Sequence, residues 1–146
     1  MRLVVFVIAF AMGWLLTVPA ANALVISEIH YHPAGPGDIG SRLEVVEIYN
    51  EEPDPRDVTG FYFADGISFV FPERTFIEGH SYLVVCADEE LIRVRYGITN
   101  TIGDWNSATA LDNGGERLTL VNAAGHEVVS VRYNDRGRWP AGADGA

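Results

Sequence analysis

The sequence is divided into short runs of β-branched and aromatic residues, and clusters of Gly, Pro, Asp and Asn separate these runs. The runs favour strands because branched and aromatic side chains pack well on a pleated surface, whereas the separating residues favour turns. Strands are therefore predicted over residues 24–31, 43–49, 58–63, 68–71, 82–87, 115–121 and 127–133. Seven or eight short strands at this spacing are typical of an all-β, antiparallel β-sandwich of immunoglobulin-like size.

Two of the separating segments have the residues of hairpin turns. Asp65-Gly66 matches a two-residue type I′ turn, so we expect residues 58–63 and 68–71 to pair. The segment from Asn122 to Gly125 predicts a second hairpin, in which Gly125 takes the left-handed conformation. Residues 115–121 and 127–133 should then be neighbours in the sheet.

One short peripheral helix is expected after the strand over residues 82–87. Asp88 is suited to cap the first turn, and Gly97 is placed to end the helix. Acidic residues near its start and arginines near its end complement the helix dipole. The predicted core of the sandwich comprises apolar residues of the strands, namely Ile26, Ile29, Val46, Ile48, Phe61, Phe69, Leu83, Val85, Leu118, Leu120, Val129 and Val131.

The first 23 residues have the features of a secretory signal peptide. Arg2 precedes an uncharged apolar run, and Ala21-Asn22-Ala23 has the small residues of a cleavage site. A retained membrane anchor is the alternative, which Pro19 disfavours because proline breaks a helix. We therefore expect an exported domain over residues 24–146 that is secreted, periplasmic or at the cell surface, without membrane attachment after cleavage.

Charge and cysteine content exclude several classes of function. The formal net charge is −10, and every basic residue other than histidine is an arginine. Such a surface repels the phosphate backbone, so nucleic-acid binding is not expected, although Arg132, Arg136 and Arg138 lie close together in the sequence. The single cysteine, Cys86, cannot form an internal disulfide and lies in an apolar strand, where it should behave as a small hydrophobic residue.

Two groups of residues are weak candidates for metal ligands. His30 and His32 are two apart, a spacing that puts both imidazoles on one face of a strand, but zinc sites need three or four converging ligands. A loop supplies the oxygen ligands that calcium prefers, from Asp104, Asn106, Asp112 and Asn113. The same residue types hold turns together through their own backbone, which is the favoured interpretation. We predict no metal site and no cofactor.

Catalytic patterns are also absent from the sequence. No serine lies in a Gly-x-Ser-x-Gly elbow. Glu44 and Glu47 are three residues apart on a strand and should point to opposite faces, which is unsuitable for a glycosidase pair. Trp105 and Trp139 are expected to pack in the core or at its ends, with an aromatic binding surface as the alternative. The chain is therefore predicted not to be an enzyme.

Several short motifs together resemble the lamin-tail domain of bacterial proteins. The most specific are Glu47-x-x-Asn50, the Thr59-Gly60 that precedes an aromatic strand, and the turn Asn113-Gly114-Gly115-Glu116. Glu28 and the Asp65-Gly66 pair also occupy positions of the family pattern. The resemblance covers essentially all of residues 24–146 and is greatest to domains of exported proteins that also carry CotH-type modules.

The resemblance implies an immunoglobulin-like sandwich without catalytic machinery. It indicates an exported interaction or tethering module for a protein or glycan partner. The alternative is an accessory domain of a truncated exported enzyme, a CotH-like kinase or a nuclease, with its catalytic part beyond residue 146. The family pattern continues into a further strand, so we expect the final strand to be missing and the exposed edge to permit self-association.

Overall fold

The computed structural model describes residues 23–105 and 107–136. The expected signal peptide lies outside these residues apart from Ala23, as do Asn106, Arg138 and Trp139. Nine strands and two helices occur within the described ranges. They are β1 (Leu24–His30), α1 (Ile39–Arg42), β2 (Val45–Asn50), β3 (Arg56–Asp57), β4 (Tyr62–Asp65), β5 (Phe76–Ile77), β6 (Tyr82–Cys86), α2 (Glu89–Tyr96), β7 (Thr101–Ile102), β8 (Arg117–Val121) and β9 (Glu127–Arg132).

The strands form the predicted all-β sandwich. One sheet has the order β1-β2-β6-β7 and the other has the order β4-β8-β9, while β3 and β5 form a short ribbon. The pairs β1-β2, β2-β6, β4-β8 and β8-β9 are antiparallel. The pair β6-β7 is parallel, and β7 lies in a segment for which the sequence predicts no strand.

The core lies between the two larger sheets, and β2 shows how the sequence produces it. Alternate residues of β2 are buried, so Val46 and Ile48 face the core while Val45 and Glu47 face outward. The opposing sheet contributes Leu118 and other apolar residues to the same cluster. Every residue of the predicted core belongs to this cluster or packs against it, with Ile26, Leu83, Val129 and Val131 only partly buried.

The predicted Asp65-Gly66 hairpin is correct in its pairing and wrong in its turn. The amide of Phe63 donates to the carbonyl of Phe69 at 3.1 Å, so the two aromatic segments are antiparallel neighbours. Gly66 has a φ of 88°, but Asp65 does not have the positive φ that a type I′ turn requires. Asp65 is instead the last residue of β4, where it pairs with Thr119 of β8. The loop between the two aromatic segments is longer than predicted, because Asp65 is paired with β8 and does not enter the turn.

The hairpin between β8 and β9 matches the prediction. The amide of Asn122 donates to the carbonyl of His126 at 2.9 Å, and Gly125 has a φ of 82°. The side chain of Asn122 accepts hydrogen bonds from the amides of Ala124 and His126 within the turn. Local residues thus determine this turn completely.

Helix α2 also forms as predicted, and a second helix accompanies it. The carboxylate of Asp88 accepts a hydrogen bond from the amide of Leu91, and Gly97 ends the helix with a φ of 71°. The unpredicted helix, α1, is only four residues long. Its Arg42 lies 2.6 Å from the second carboxylate oxygen of Asp88, so an ion pair joins the two helices.

Asn50 is the last residue of β2 and is fully buried. Its side-chain Nδ2 donates to the carbonyl oxygens of Asp54, Ile77 and Glu78, at 2.9, 3.0 and 3.2 Å. Its Oδ1 accepts a hydrogen bond from the amide of Glu52 at 3.0 Å. One side chain therefore joins the end of the central strand to two separate loops.

A close backbone approach accompanies these hydrogen bonds. A Cβ atom at Gly79 would overlap the carbonyl group of Pro53. Only glycine lets the loop after β5 pass this near to the loop after β2. The amide of His80 then donates to the carbonyl of Glu52 at 2.9 Å.

Replacement of Asn50 is expected to destabilise the fold strongly. Asn50→Ala leaves one buried and two partly buried carbonyl oxygens without their donor, and each buried unsatisfied group costs roughly 1 to 3 kcal/mol. We expect the free energy of unfolding, measured by urea denaturation, to fall by about 3 kcal/mol or more.

A matched control is Asn100→Ala, because Asn100 makes an exposed hydrogen bond to the carbonyl of Tyr82. This control should lose no more than about 1 kcal/mol. Equal losses in the two variants would contradict the role given to Asn50.

Candidate functional site

The outer face of the four-stranded sheet carries a groove of about 380 Å³. Strand register arranges its residues in rows across β1, β2 and β6. Glu28 lies opposite Glu47, which in turn lies opposite Val84. His30 and Val45 form the next row. We call this cavity the sheet groove.

A β-bulge at Ser27 creates this arrangement. Ile26 pairs with Ile48 and Glu28 pairs with Glu47, so Ser27 is an extra residue in β1. If Ser27 were instead paired regularly with Glu47, strict alternation would turn Glu28 toward the core. The Ser27 hydroxyl donates to Oε1 of Glu47 at 2.7 Å and thereby orients that carboxylate.

Helix α2 forms one side of the sheet groove. Ile92 is fully buried and packs over Val84 and Cys86, while the helix leaves the β1 side of the sheet uncovered. Tyr96, at the end of the helix, is 48 % exposed and lines the groove. Tyr82, the first residue of β6, also lines the groove and is 46 % exposed. The groove therefore has an apolar floor and two half-exposed tyrosines in its lining.

The polar rim of the sheet groove carries two carboxylates and one imidazole. None of the ion pairs among the described residues involves Glu28 or Glu47. Burial lowers the pKa of His30 below its usual value, and the nearby Glu28 carboxylate only partly offsets this. The imidazole is therefore mainly neutral at neutral pH, and the groove is negative.

A second, smaller cavity of about 220 Å³ lies beside the loop that contains α1. It is lined by His32 and Asn113, and at its base lies Glu44, which is 3 % exposed. The amide of Leu111 donates to Oε2 of Glu44 at 2.8 Å. Burial raises the pKa of Glu44 to about 7, and the charge of Glu116 also raises it. We call this cavity the polar pocket.

The turn before β8 is held by its own side chains. The carboxylate of Asp112 accepts a hydrogen bond from the amide of Gly114 at 2.7 Å, and Oε1 of Glu116 accepts one from the amide of Asp112 at 2.9 Å. The Tyr133 hydroxyl lies 3.0 Å from both Glu116 Oε1 and the Asp112 carbonyl. Gly115 has a φ of 98°, and a Cβ there would overlap the backbone of Tyr133 and Asn134.

The candidate metal ligands are distributed over different places. His30 lines the sheet groove, whereas His32 lines the polar pocket with Asn113. Asp104 accepts a hydrogen bond from the amide of Glu89 at the start of α2, and Asp112 serves its own turn. The described parts of the chain contain no group of three or more His, Cys, Asp or Glu residues able to hold a metal ion.

The serine nearest to a carboxylate is Ser27. Activation of a serine hydroxyl requires an adjacent general base, which a third group orients. The hydrogen bonds of Ser27 within the described residues go to the side chain and the carbonyl of Glu47. The Ser27 hydroxyl therefore orients the Glu47 carboxylate, and the pair does not have the three-group arrangement that activates a serine nucleophile.

Comparison with known proteins decides the family. A model of the family described as Lamin Tail Domain matches residues 17–135. The chain belongs to the lamin tail domain family. Domains of this family are immunoglobulin-like and generally non-catalytic. A search of curated proteins found no match to the chain.

The structure shows where the residues on which the predicted family resemblance rests lie in this lamin tail domain. Glu28 and Glu47 line the sheet groove, whereas Asn50, on the opposite face of β2, joins two loops. The amide of Gly60 donates to the carbonyl of Phe71 next to the aromatic segment. Gly114 and Gly115 form the turn that Glu116 holds.

Sequence reasoning missed the importance of Glu44. It lies just before β2 rather than in it and is buried, whereas Glu47 faces outward. The signal available was the apolar context of this glutamate, between Leu43 and Val45. Trp105 is buried at 3 % exposure, as the favoured interpretation of core packing predicts. No helix in residues 23–105 and 107–136 has the length and hydropathy needed to span a membrane.

Burial of Glu44 predicts a pH dependence of stability. Between its ordinary pKa of 4.5 and a folded pKa of about 7, the folded protein keeps a proton that the unfolded chain releases. Stability therefore falls as the pH rises through this window, by up to about 3 kcal/mol. Glu44→Gln keeps an acceptor for the amide of Leu111 without the charge. The free energy of unfolding of this variant, minus that of the original protein, should therefore be higher near pH 8 than near pH 5.

Urea denaturation at both pH values measures this difference. The lowered pKa of His30 acts in the opposite direction, because stability is then lost as the pH falls. His30 is present in both proteins, so its contribution cancels in the comparison. Parallel pH profiles for the two proteins would show that Glu44 does not titrate in this window.

Burial of Cys86 predicts that its thiol does not react in the folded protein. Cys86 is fully buried, and burial together with the charge of Glu89 raises its pKa to about 12. Only the thiolate reacts with an aromatic disulfide reagent such as DTNB. We expect no reaction under native conditions and complete reaction in urea. Rapid labelling of the native protein would contradict this burial.

Proposed function

We propose that this lamin tail domain is an exported, non-catalytic interaction module that binds a protein or glycan partner through the sheet groove. The observation that carries the proposal is the groove itself. It combines an apolar floor with two half-exposed tyrosines and a small number of polar groups. Binding sites commonly have this composition, because apolar contacts supply affinity and a few polar groups fix orientation.

The position of the groove on regular elements supports a recognition role. Its floor comes from β2 and β6, which are paired along five residues, and its wall is a capped helix. A rigid surface loses little conformational freedom when a partner binds, which favours affinity. The tyrosines in its lining are of the residue type that is enriched where proteins make contacts.

Export is supported by the first 23 residues, which have a basic start, an apolar centre and a small-residue end. The sequence as a whole has a net charge of −10, and a strongly acidic exported module is well suited to stay soluble outside the cell or in the periplasm. Tethering of an adjoining protein is the simplest use of such a module, since it requires binding and no chemistry.

Arrays of peptides and of glycans test the proposal. The purified protein should bind at least one class of array member, and Tyr82→Ala combined with Tyr96→Ala should weaken that binding at least tenfold. Tenfold corresponds to about 1.4 kcal/mol, a small value for two truncated aromatic contacts.

Phe76→Ala is the matched control, because Phe76 is an aromatic residue of β5 that is 51 % exposed and lies outside the groove. This variant should bind as the original protein does. The proposal would be wrong if no array member binds, or if the double tyrosine variant binds as strongly as the Phe76→Ala control.

A further inference from the structure

We propose that the occupant of the sheet groove is an arginine-rich segment of a protein partner, whose guanidinium group binds Glu28 and Glu47 and stacks on Tyr82. This inference rests on the proposed function and specifies the chemistry of its ligand. Three features of the groove support it: its charge, the row of tyrosines beside it and the apolar floor beneath.

The two carboxylates form an unusual pair. Glu28 and Glu47 lie directly opposite each other on neighbouring antiparallel strands and on the same face. Like charges in this position destabilise a sheet. The described residues provide no cation to offset the repulsion, because their ion pairs lie elsewhere. A bound cation would satisfy both carboxylates at once.

Local structure keeps the two carboxylates on the same face and does not relieve their repulsion. The bulge at Ser27 turns Glu28 outward, and the Ser27 hydroxyl holds the Glu47 carboxylate. A planar guanidinium presents several parallel donors and matches carboxylates better than a lysine ammonium does. The geometry therefore favours arginine over lysine as the bound side chain.

The next row of the same face supplies aromatic rings. Tyr49 and Tyr82 are paired across β2 and β6, with ring centroids 4.5 Å apart. Rows on one face of a strand are separated by about 7 Å. Tyr82 lies one row along and one strand across from Glu47, so we infer that an arginine lying along the groove brings its guanidinium to the Glu47 carboxylate and toward the Tyr82 ring, which attracts a cation through its π face.

The remaining surface of the groove suits the rest of a peptide. Val45 and Ile98 are partly exposed and present aliphatic surface, on which the methylene groups of an arginine or a neighbouring apolar residue can pack. The acidic surface of the whole chain, with its net charge of −10, also attracts a basic partner at long range. A nucleic acid or an anionic membrane has the wrong charge for the same site.

Fluorescence anisotropy with three labelled peptides tests the inference. Each peptide has the same Gly-Ser host sequence of about twelve residues and carries four Arg, four Gln or four Glu. We expect the arginine peptide to bind the purified protein and the other two to bind at least tenfold more weakly. The affinity for the arginine peptide should fall as the salt concentration rises.

Two charge variants distinguish the groove from general electrostatic attraction. Glu28→Gln with Glu47→Gln should weaken binding of the arginine peptide at least tenfold. Glu73→Gln with Glu127→Gln removes the same charge from exposed positions outside the groove and should change affinity less than twofold. Equal losses in both double variants would overturn the inference.

Substitutions of Tyr82 separate the aromatic contribution from the hydroxyl. Tyr82→Phe keeps the π face and should retain binding, whereas Tyr82→Ala should lose most of it. Thermal melting of each variant confirms folding, and the Glu28→Gln, Glu47→Gln protein should melt no lower than the original, since the change removes a repulsion.

The outcomes separate this inference from the proposed function. Equal affinity for the arginine and glutamine peptides would overturn the inference. So would a neutral glycan that needs Tyr82 and Tyr96 but not the two glutamates, and that result would leave the proposed interaction role in place. Failure of every array ligand and every peptide would overturn both.

Discussion

The buried amide of Asn50 is the interaction on which the arrangement of the domain depends. It ends the central strand β2 and satisfies carbonyl oxygens from two loops that are far apart in the chain. Because Asn50 fixes the position of β2 at this end, it also fixes which residues of β2 face the core and which face outward. The core-facing Val46 and Ile48 and the outward-facing Val45 and Glu47 follow from the same anchoring. Glu47 and Asn50 are thus two parts of one motif with different tasks.

The outer face of the four-stranded sheet is divided between a part that helix α2 covers and the open sheet groove. Helix α2 covers Val84 and Cys86 and leaves the β1 side open. The residues under the helix are apolar, whereas those outside it are charged or aromatic. A short helix that covers only part of a sheet therefore produces both a second small core and the wall of a groove. The polar pocket beside α1 is separate and contains the buried carboxyl of Glu44.

The sequence predicts those features that depend on near neighbours. The hairpin at Asn122–Gly125 and the caps of α2 at Asp88 and Gly97 rely on side chains within four residues, and they form as expected. The Asp65-Gly66 turn differs because β8 pairs with Asp65 and so prevents the short turn. The sheet groove and the burial of Glu44 result from residues distant in sequence, such as Leu111, which periodicity alone does not bring together. Family resemblance predicts the sandwich and not the partners of each side chain.

The bulge in β1 has a consequence for how related sequences should be compared. Ile26 and Ile29 both face inward although three positions separate them, because Ser27 is supernumerary. Loss of that residue would remove the bulge and leave every residue that follows it facing as before, because regular alternation from Ile26 also places Glu28 outward and Ile29 inward. The facing pattern of this segment therefore survives a one-residue difference in length at Ser27. An alignment of homologues should treat the residues before and after Ser27 as two blocks, since a gap at this point separates members with the bulge from members with a regular strand and the same facing pattern.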